Sequence, residues 1–427
     1  MALDDLSWLI SLAILAVTYA LIVSDRVHNA IAGLVGICLT LLVGGALDMV
    51  TFDDVIGYID FNTIFLLMGM MIIVGVISKT GLFQLLALKS YKLASGRIWL
   101  MLIILCSVTA MLSAFLDNVT TVLLMAPVTV ELTRILRIDP IPFLISEALS
   151  ANVGGTSTLI GDPPNILIGS EAGFSFVDFL SNLAPIVLII FMVLISTLSL
   201  FYGKGLGIEW NRANRPDIKE LEERYKIVDR GLFYRALGVL VFTVVLFVLQ
   251  DFISLPVAVS ALLGATVLLV ITNIPVGEAL KGVEWPTLIF FMGLLVLAGG
   301  ANDMGLLPMI ADGIGELSGE REVLALLLVL WISAIASSLM GALPMAAMMI
   351  PIVGGLGGGD LYWALALGVC LGGNGTYLGT ASSLVLVGFS ESYGYPISFK
   401  RYAKVGIPIM LITVAIASLY IVLRYAW

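Results

Sequence analysis

Three carboxylic acids stand where the chain is otherwise apolar: Asp117, Glu147 and Asp162. A carboxylate at bilayer depth costs about 2.5 kcal/mol or more unless it faces a cavity, holds a cation or takes up a proton. Each therefore marks a place where protons or small cations can be exchanged. Asp117 lies in SAFLDNVTTVLLMAPV, where Asp117, Asn118, Thr120 and Thr121 interrupt two apolar runs. Helix ends leave backbone groups unsatisfied, and hydrocarbon offers them no partner, so such a break needs a wet or protein-lined cavity. Without a ligand, the same cluster is a buried turn in which Asp117 caps the next helix. Asp162 closes a second break, NVGGTSTLIGDPPN, with Asn152, Gly154, Gly155, Thr156, Ser157 and Thr158 before it and Pro163, Pro164 and Asn165 after it. Glycine and proline unwind the backbone, offering carbonyls to cations and amides to anions; a proline-kinked helix is the plain alternative. Glu147 precedes this break by about two turns, and two roles stay open for it: on the cavity face, or as a hydrogen-bonded acid between helices.

The elements that must hold these groups follow from composition. Of 427 residues, 60% are hydrophobic and 12% charged, half the usual charge, which excludes a water-soluble domain. An all-α polytopic membrane protein is expected, with roughly ten to twelve crossings of about 20 residues each. The run at 6–23 follows Asp4 and Asp5 and no cleavage pattern, so it reads as a retained helix. Cys38, Cys106 and Cys370 lie in apolar stretches and give neither a zinc spacing nor a disulfide framework.

The chain also repeats itself. TIFLLMGMMIIVGVISKTGL aligns with TLIFFMGLLVLAGGANDMGL, so that Thr63, Met68, Gly69, Gly75 and Gly81 fall on residues 224 positions later, Thr287, Met292, Gly293, Gly299 and Gly305. NVGGTSTLIGDPPN faces CLGGNGTYLGTASS, which sets Gly154, Gly155, Thr158 and Gly161 over Gly372, Gly373, Thr376 and Gly379. The expected organisation is repeat one in 1–203, a cytoplasmic linker in 204–231 and repeat two in 232–427. Hairpins fall at about 97–136 and 322–357, and broken helices at about 140–171 and 361–391. If each hairpin enters and leaves on one side, every repeat holds five full crossings, an odd number, and the repeats are inverted. With the amino terminus outside, 19 of the 21 Lys and Arg residues fall on the cytoplasmic side, Arg321 and Arg424 being the exceptions. Asp48, Asp53, Asp54, Asp60, Asp303, Asp312, Glu316 and Glu320 fall outside. Both termini are then extracytoplasmic. The basic residues mark topology and give no ground for nucleic-acid binding.

The second repeat carries the same breaks without charge. Gly341 and Ala342 stand where the first hairpin has Asp117 and Asn118, and the other break offers Asn374, Thr376, Thr380, Ser382 and Ser383. Repeat one is therefore expected to handle a coupling ion and repeat two to complete a neutral, hydroxyl-rich surface. Cys370 stands over Asn152, either as a small apolar residue or as a soft ligand for a metalloid. The sole histidine, His28, is assigned to a cytoplasmic loop.

SAFLDNVTTVLLMAPVTVEL, NVGGTSTLIGDPPNILIGS and LGGNGTYLG resemble the ion transporter superfamily, and within it the arsenite/antimonite permease and P protein group. The resemblance spans nearly the whole chain. It implies two inverted repeats of five transmembrane helices, each with a re-entrant hairpin and a broken helix, in a secondary transporter that is often homodimeric. Carried over, it places the ion site at Asp117, Asn118, Thr120, Gly155, Thr156 and Thr158, bordered by Asp162 and Asn165. Many relatives keep an acid or amide pair where this chain has Gly341 and Ala342, which argues against a two-sodium scheme. The function expected is proton-coupled efflux of arsenite or antimonite across the cell (inner) membrane. A sodium/proton antiporter and a coupled small-anion transporter are the alternatives. No cofactor is expected beyond protons or sodium as coupling ions. A homodimer and a cytoplasmic ATPase docking on the linker are the partners considered.

Overall fold

Main-chain amides in hydrocarbon find partners only within their own helix, so apolar runs of this length coil. The computed structural model describes residues 7–24, 27–95, 97–206, 227, 229–319 and 321–425. The expected linker and the ATPase docking on it fall almost wholly outside those residues, as do Asp4, Asp5 and Glu320. In the first half, α1 (Ser7–Ser24), α2 (Asn29–Ala46), the short α3 (Phe52–Tyr58) and α4 (Phe61–Ser78) are followed by α5 (Leu82–Ala94). Next come a hairpin of α6 (Ile98–Ser113) and α7 (Asn118–Leu136), the broken helix α8 (Ile141–Gly155) and α9 (Pro163–Ala172), the short α10 (Phe176–Asn182), and α11 (Ala184–Leu206). The second half runs through α12 (Arg230–Val248), α13 (Val257–Thr272), α14 (Trp285–Asp303) and α15 (Leu306–Ser318). It ends with the hairpin α16 (Glu322–Met340) and α17 (Ala342–Gly355), the broken helix α18 (Leu361–Gly372) and α19 (Ala381–Ser392), and α20 (Phe399–Tyr425). Among the described residues, eight helices are long and apolar enough to cross a membrane alone. The protein is an all-α polytopic membrane protein.

Two elements lie in stretches that the apolar runs leave as loops. In α5, Phe83, Ala87 and Tyr91 are buried at a four-residue spacing while Lys89 and Lys92 are not, so one stripe packs inward and the rest faces outward. In α15, Leu307, Ala311 and Ile314 do the same. Both helices begin at a glycine held at φ +83°, Gly81 and Gly305, a left-handed start that favours glycine.

The packing crosses between the halves. Gly33, Thr40 and Gly44 of α2 lie against Phe290 and Gly300 of α14 and Met304 just after it, in the same order along both helices. Gly69 and Ile73 of α4 likewise lie against Ala261 and Gly264 of α13. Each helix thus runs parallel to the counterpart of its neighbour. The counterparts themselves, α4 and α14, run oppositely. Lys79 after α4 pairs with Glu278 before α14 at 2.8 Å, while Tyr58 before α4 donates a hydrogen bond to Asp303 at the end of α14. An inverted relation between the halves follows. It recurs at the hairpins: a Cβ on Gly154 would fall 2.1 Å from the Ala110 carbonyl oxygen, and one on Gly372 would fall 2.3 Å from that of Ala334. Only glycine lets α8 touch α6, and α18 touch α16, so closely. The base of the first hairpin lies on the Lys79 face and that of the second on the Asp303 face, so the two tips approach each other from opposite sides.

Candidate functional site

The hairpin tips are fixed to the helix breaks. Asp117 caps α7, its Oδ2 accepting hydrogen bonds from the Thr120 amide at 3.0 Å and the Thr120 hydroxyl at 3.1 Å. The Thr158 hydroxyl donates to the Ala114 carbonyl at the first tip, and the Thr376 hydroxyl donates to the Ser338 carbonyl at the second, at 2.5 Å. The breaks are joined to each other beneath the tips. The Asn118 amide donates to Asn152 Oδ1 at 3.3 Å, and the Asn152 amide donates to the Cys370 carbonyl at 2.6 Å and to Asn374 Oδ1 at 3.2 Å. Unwound carbonyls need donors, and Asn165 supplies them, its amide reaching the carbonyls of Thr158, Thr156 and Gly155 at 2.9, 3.3 and 3.4 Å. The Thr156 hydroxyl donates to the Asn152 carbonyl at 2.8 Å.

Asp162 is held differently. A capping carboxylate accepts from the second or third amide of its helix, but α9 opens on Pro163 and Pro164, which have no N–H. The next amide, that of Asn165, goes to the Asp162 carbonyl at 2.9 Å. Asp162 Oδ2 is left without a partner among the described residues although the residue is 3% exposed. Its counterpart Thr380, with no prolines after it, accepts the Ser383 amide at 3.2 Å.

Both acids line a cavity of about 230 Å³ together with Asn118, Gly341, Ala342 and Thr380. The cavity extends from the tips to His28 and Glu284, at the amino-terminal ends of α2 and α14, where His28 is exposed. First residues of five helices line it, Asn29 at the mouth and Asn118, Pro163, Ala342 and Ala381 at the tips and breaks. Each helix start carries a partial positive charge of about half an elementary charge. In repeat one Asp117 and Asp162 oppose that charge; in repeat two Gly341 and Thr380 leave it uncompensated. One wall therefore accepts hydrogen bonds and the other donates them. Among the described residues no Lys or Arg lines the cavity. A second space of about 400 Å³ opens on the other face, lined by Tyr58, Asp60, Glu171, Gly299 and Pro351.

Several expected residues lie elsewhere. Thr120 borders a narrow space between the first tip and α4, and Thr121 is buried with its hydroxyl unpartnered among the described residues. Asn152, Gly155, Thr156, Thr158, Asn165, Asn374 and Thr376 form the bonded floor under the cavity. Cys370 is fully buried in that floor, its thiol donating to Asn165 Oδ1 at 3.4 Å. Glu147 sits between helices, 1% exposed, with Oε1 accepting the Thr129 hydroxyl at 2.7 Å. Of the two roles left open for Glu147, the structure shows the interhelical one. One acid of the cavity was missed. Glu284 looks like part of a polar connection in the sequence, yet it lines the space with Asp117, its Oε2 accepting the Thr287 hydroxyl at 3.1 Å. The 224-residue offset that pairs Thr63 with Thr287 also pairs Asp60 with Glu284, and that was the available signal.

A family model described as "Citrate transporter" (CitMHS) matches residues 19–368. The chain belongs to this family. It is 38% identical to the 46 kDa membrane protein of Mycobacterium leprae over 97% of this chain and 98% of that one. It is 34% identical to the human P protein over 97% of this chain, spanning 60% of the P protein. The crystal structure of the Alcanivorax borkumensis YdaH transporter, described as revealing an unusual topology, aligns over 94% of this chain and 99% of that one. Its TM-score is 0.62 at 14% identity, a likeness of fold. The chain is thus a multi-pass membrane transporter of the citrate transporter family, within the ion transporter superfamily.

Proposed function

We propose that the protein is a proton-coupled exporter of trivalent arsenite or antimonite, solutes that are neutral hydroxides near pH 7. The observation that carries this reading is the two-walled cavity, in which the carboxylates of Asp117 and Asp162 face helix starts that carry no acid, and no Lys or Arg takes part among the described residues. A small polyhydroxylated solute donates its protons to Asp117 and Asp162 and accepts from the first amides of α17 and α19. Protonation turns one oxygen of each acid into a donor and removes the negative charge that strengthens the other as an acceptor, so proton and solute compete for one site, as antiport requires. Ligation by Cys370 is no part of the scheme, since that thiol is bonded beneath the floor. A multivalent anion such as the citrate in the family's description would meet two or more carboxylates and no fixed cation, which disfavours it. The positive-inside rule makes the Lys79 face cytoplasmic and the cavity inward-facing, in the cell (inner) membrane.

The test is arsenite uptake into everted vesicles under an imposed proton gradient. Uptake that collapses with the gradient supports the proposal. Proton release on adding sodium, with no arsenite movement, would instead establish the second reading, a sodium/proton antiporter. That alternative is favoured by the oxygen-rich tip of Asp117, Asn118 and Thr120.

A further inference from the structure

Glu284 and Asp60 occupy one position of the inverted repeats, 224 residues apart. Each stands immediately before the helix that follows it, α14 or α4, and each carboxylate accepts from the threonine three residues on. Glu284 takes the Thr287 hydroxyl at 3.1 Å and Asp60 takes the Thr63 hydroxyl at 2.5 Å. Both residues are half-buried. Glu284 lines the 230 Å³ cavity on the Lys79 face, where the titratable groups facing it are His28, Asp117 and Asp162. Asp60 lines the 400 Å³ space on the opposite face, where Tyr58 and Glu171 face it. The first space ends at the buried Asp162 carboxylate, whose Oδ2 has no partner among the described residues; the second ends against α17 and the far end of α9. Only one of the two entrances therefore leads to the central acids in this conformation. Because the repeats are inverted, exchange of their two arrangements turns the closed entrance into the open one.

We propose that Glu284 and Asp60 are the two entrance carboxylates of a single pathway, each receiving the coupling cation from its own face and relaying it to Asp117 and Asp162. Neither replaces the central acids. Each raises the local concentration of cation at its mouth and gives it an intermediate stop before the tips. The inference rests on the proposed coupled transport.

Its test compares E284Q and D60N in everted and right-side-out vesicles, reading the proton concentration that half-saturates arsenite or sodium exchange on each face. The ratio of the two half-saturating values should move by about threefold to tenfold, in opposite directions in the two variants. E284D and D60E, which keep the charge, should restore the ratio and guard against simple misfolding. Equal effects on both faces, or a shift in the same direction in both variants, would overturn the inference while the unaltered chain still transports. An unaltered chain that moves neither arsenite nor sodium against protons overturns the coupled reading and this inference with it.

Discussion

At the scale of single residues, the difference between Asp162 and Glu147 shows why burial alone does not define a site. Both are buried acids with one oxygen unpartnered among the described residues, but Asp162 lines the cavity whereas Glu147 lies away from it, its other oxygen taking the Thr129 hydroxyl across a helix interface. D162N should abolish coupled transport at normal membrane abundance. E147Q should keep most of it, because the amide can still accept from Thr129; solute flux in vesicles separates the two. Asn165 makes a third case, since its amide serves three carbonyls of the unwound segment. N165A leaves them short of donors, at a cost of about 1–3 kcal/mol, and should lower the melting temperature of the detergent-purified chain. Asp117 and Asp162 could be picked out in the sequence because an acid in an apolar run violates its surroundings. Glu284 did not stand out in the same way, because it falls in the connection before α14 and becomes exceptional only once the fold sets it at the mouth of the cavity that ends at Asp117 and Asp162.

Among elements, Gly154 and Gly372 hold helix backbones in close approach, where one added methyl would meet a carbonyl oxygen of the partner helix. G154A should cost about 1–3 kcal/mol through overpacking and reduce the yield of folded protein. G313A, on the open side of α15 with nothing near its Cβ position, should be neutral or slightly stabilising. Size-exclusion profiles of the purified variants would distinguish them. The hairpins and broken helices were evident in the sequence because Gly, Pro and polar residues interrupt apolar runs. The helices α5 and α15 were not, since half of each is polar and a hydropathy reading sees only connections. The pairing of α2 with α14 and of α4 with α13 was equally hidden, because the small residues along those seams carry no address for their partners.

For the molecule as a whole, duplication and inversion place two similar architectures face to face, while substitution has made them chemically unequal. At the tips and breaks repeat one brings two acids and repeat two brings helix starts without charged caps, its one acid of the cavity, Glu284, standing at the mouth. The sense of the repeats could be argued from sequence, through the 224-residue offset and the distribution of basic residues. The shape of the cavity and the face it reaches could not, because both depend on how the hairpin tips settle against the breaks. The account stands most directly on Asp117, which caps one tip, lines the cavity and carries the exchangeable proton in the proposed cycle. Proton movement by D117N in everted vesicles, followed with a pH-sensitive dye on addition of arsenite, measures that role. The account predicts that the unaltered chain exchanges protons for arsenite and that D117N does not; full exchange by D117N would contradict it.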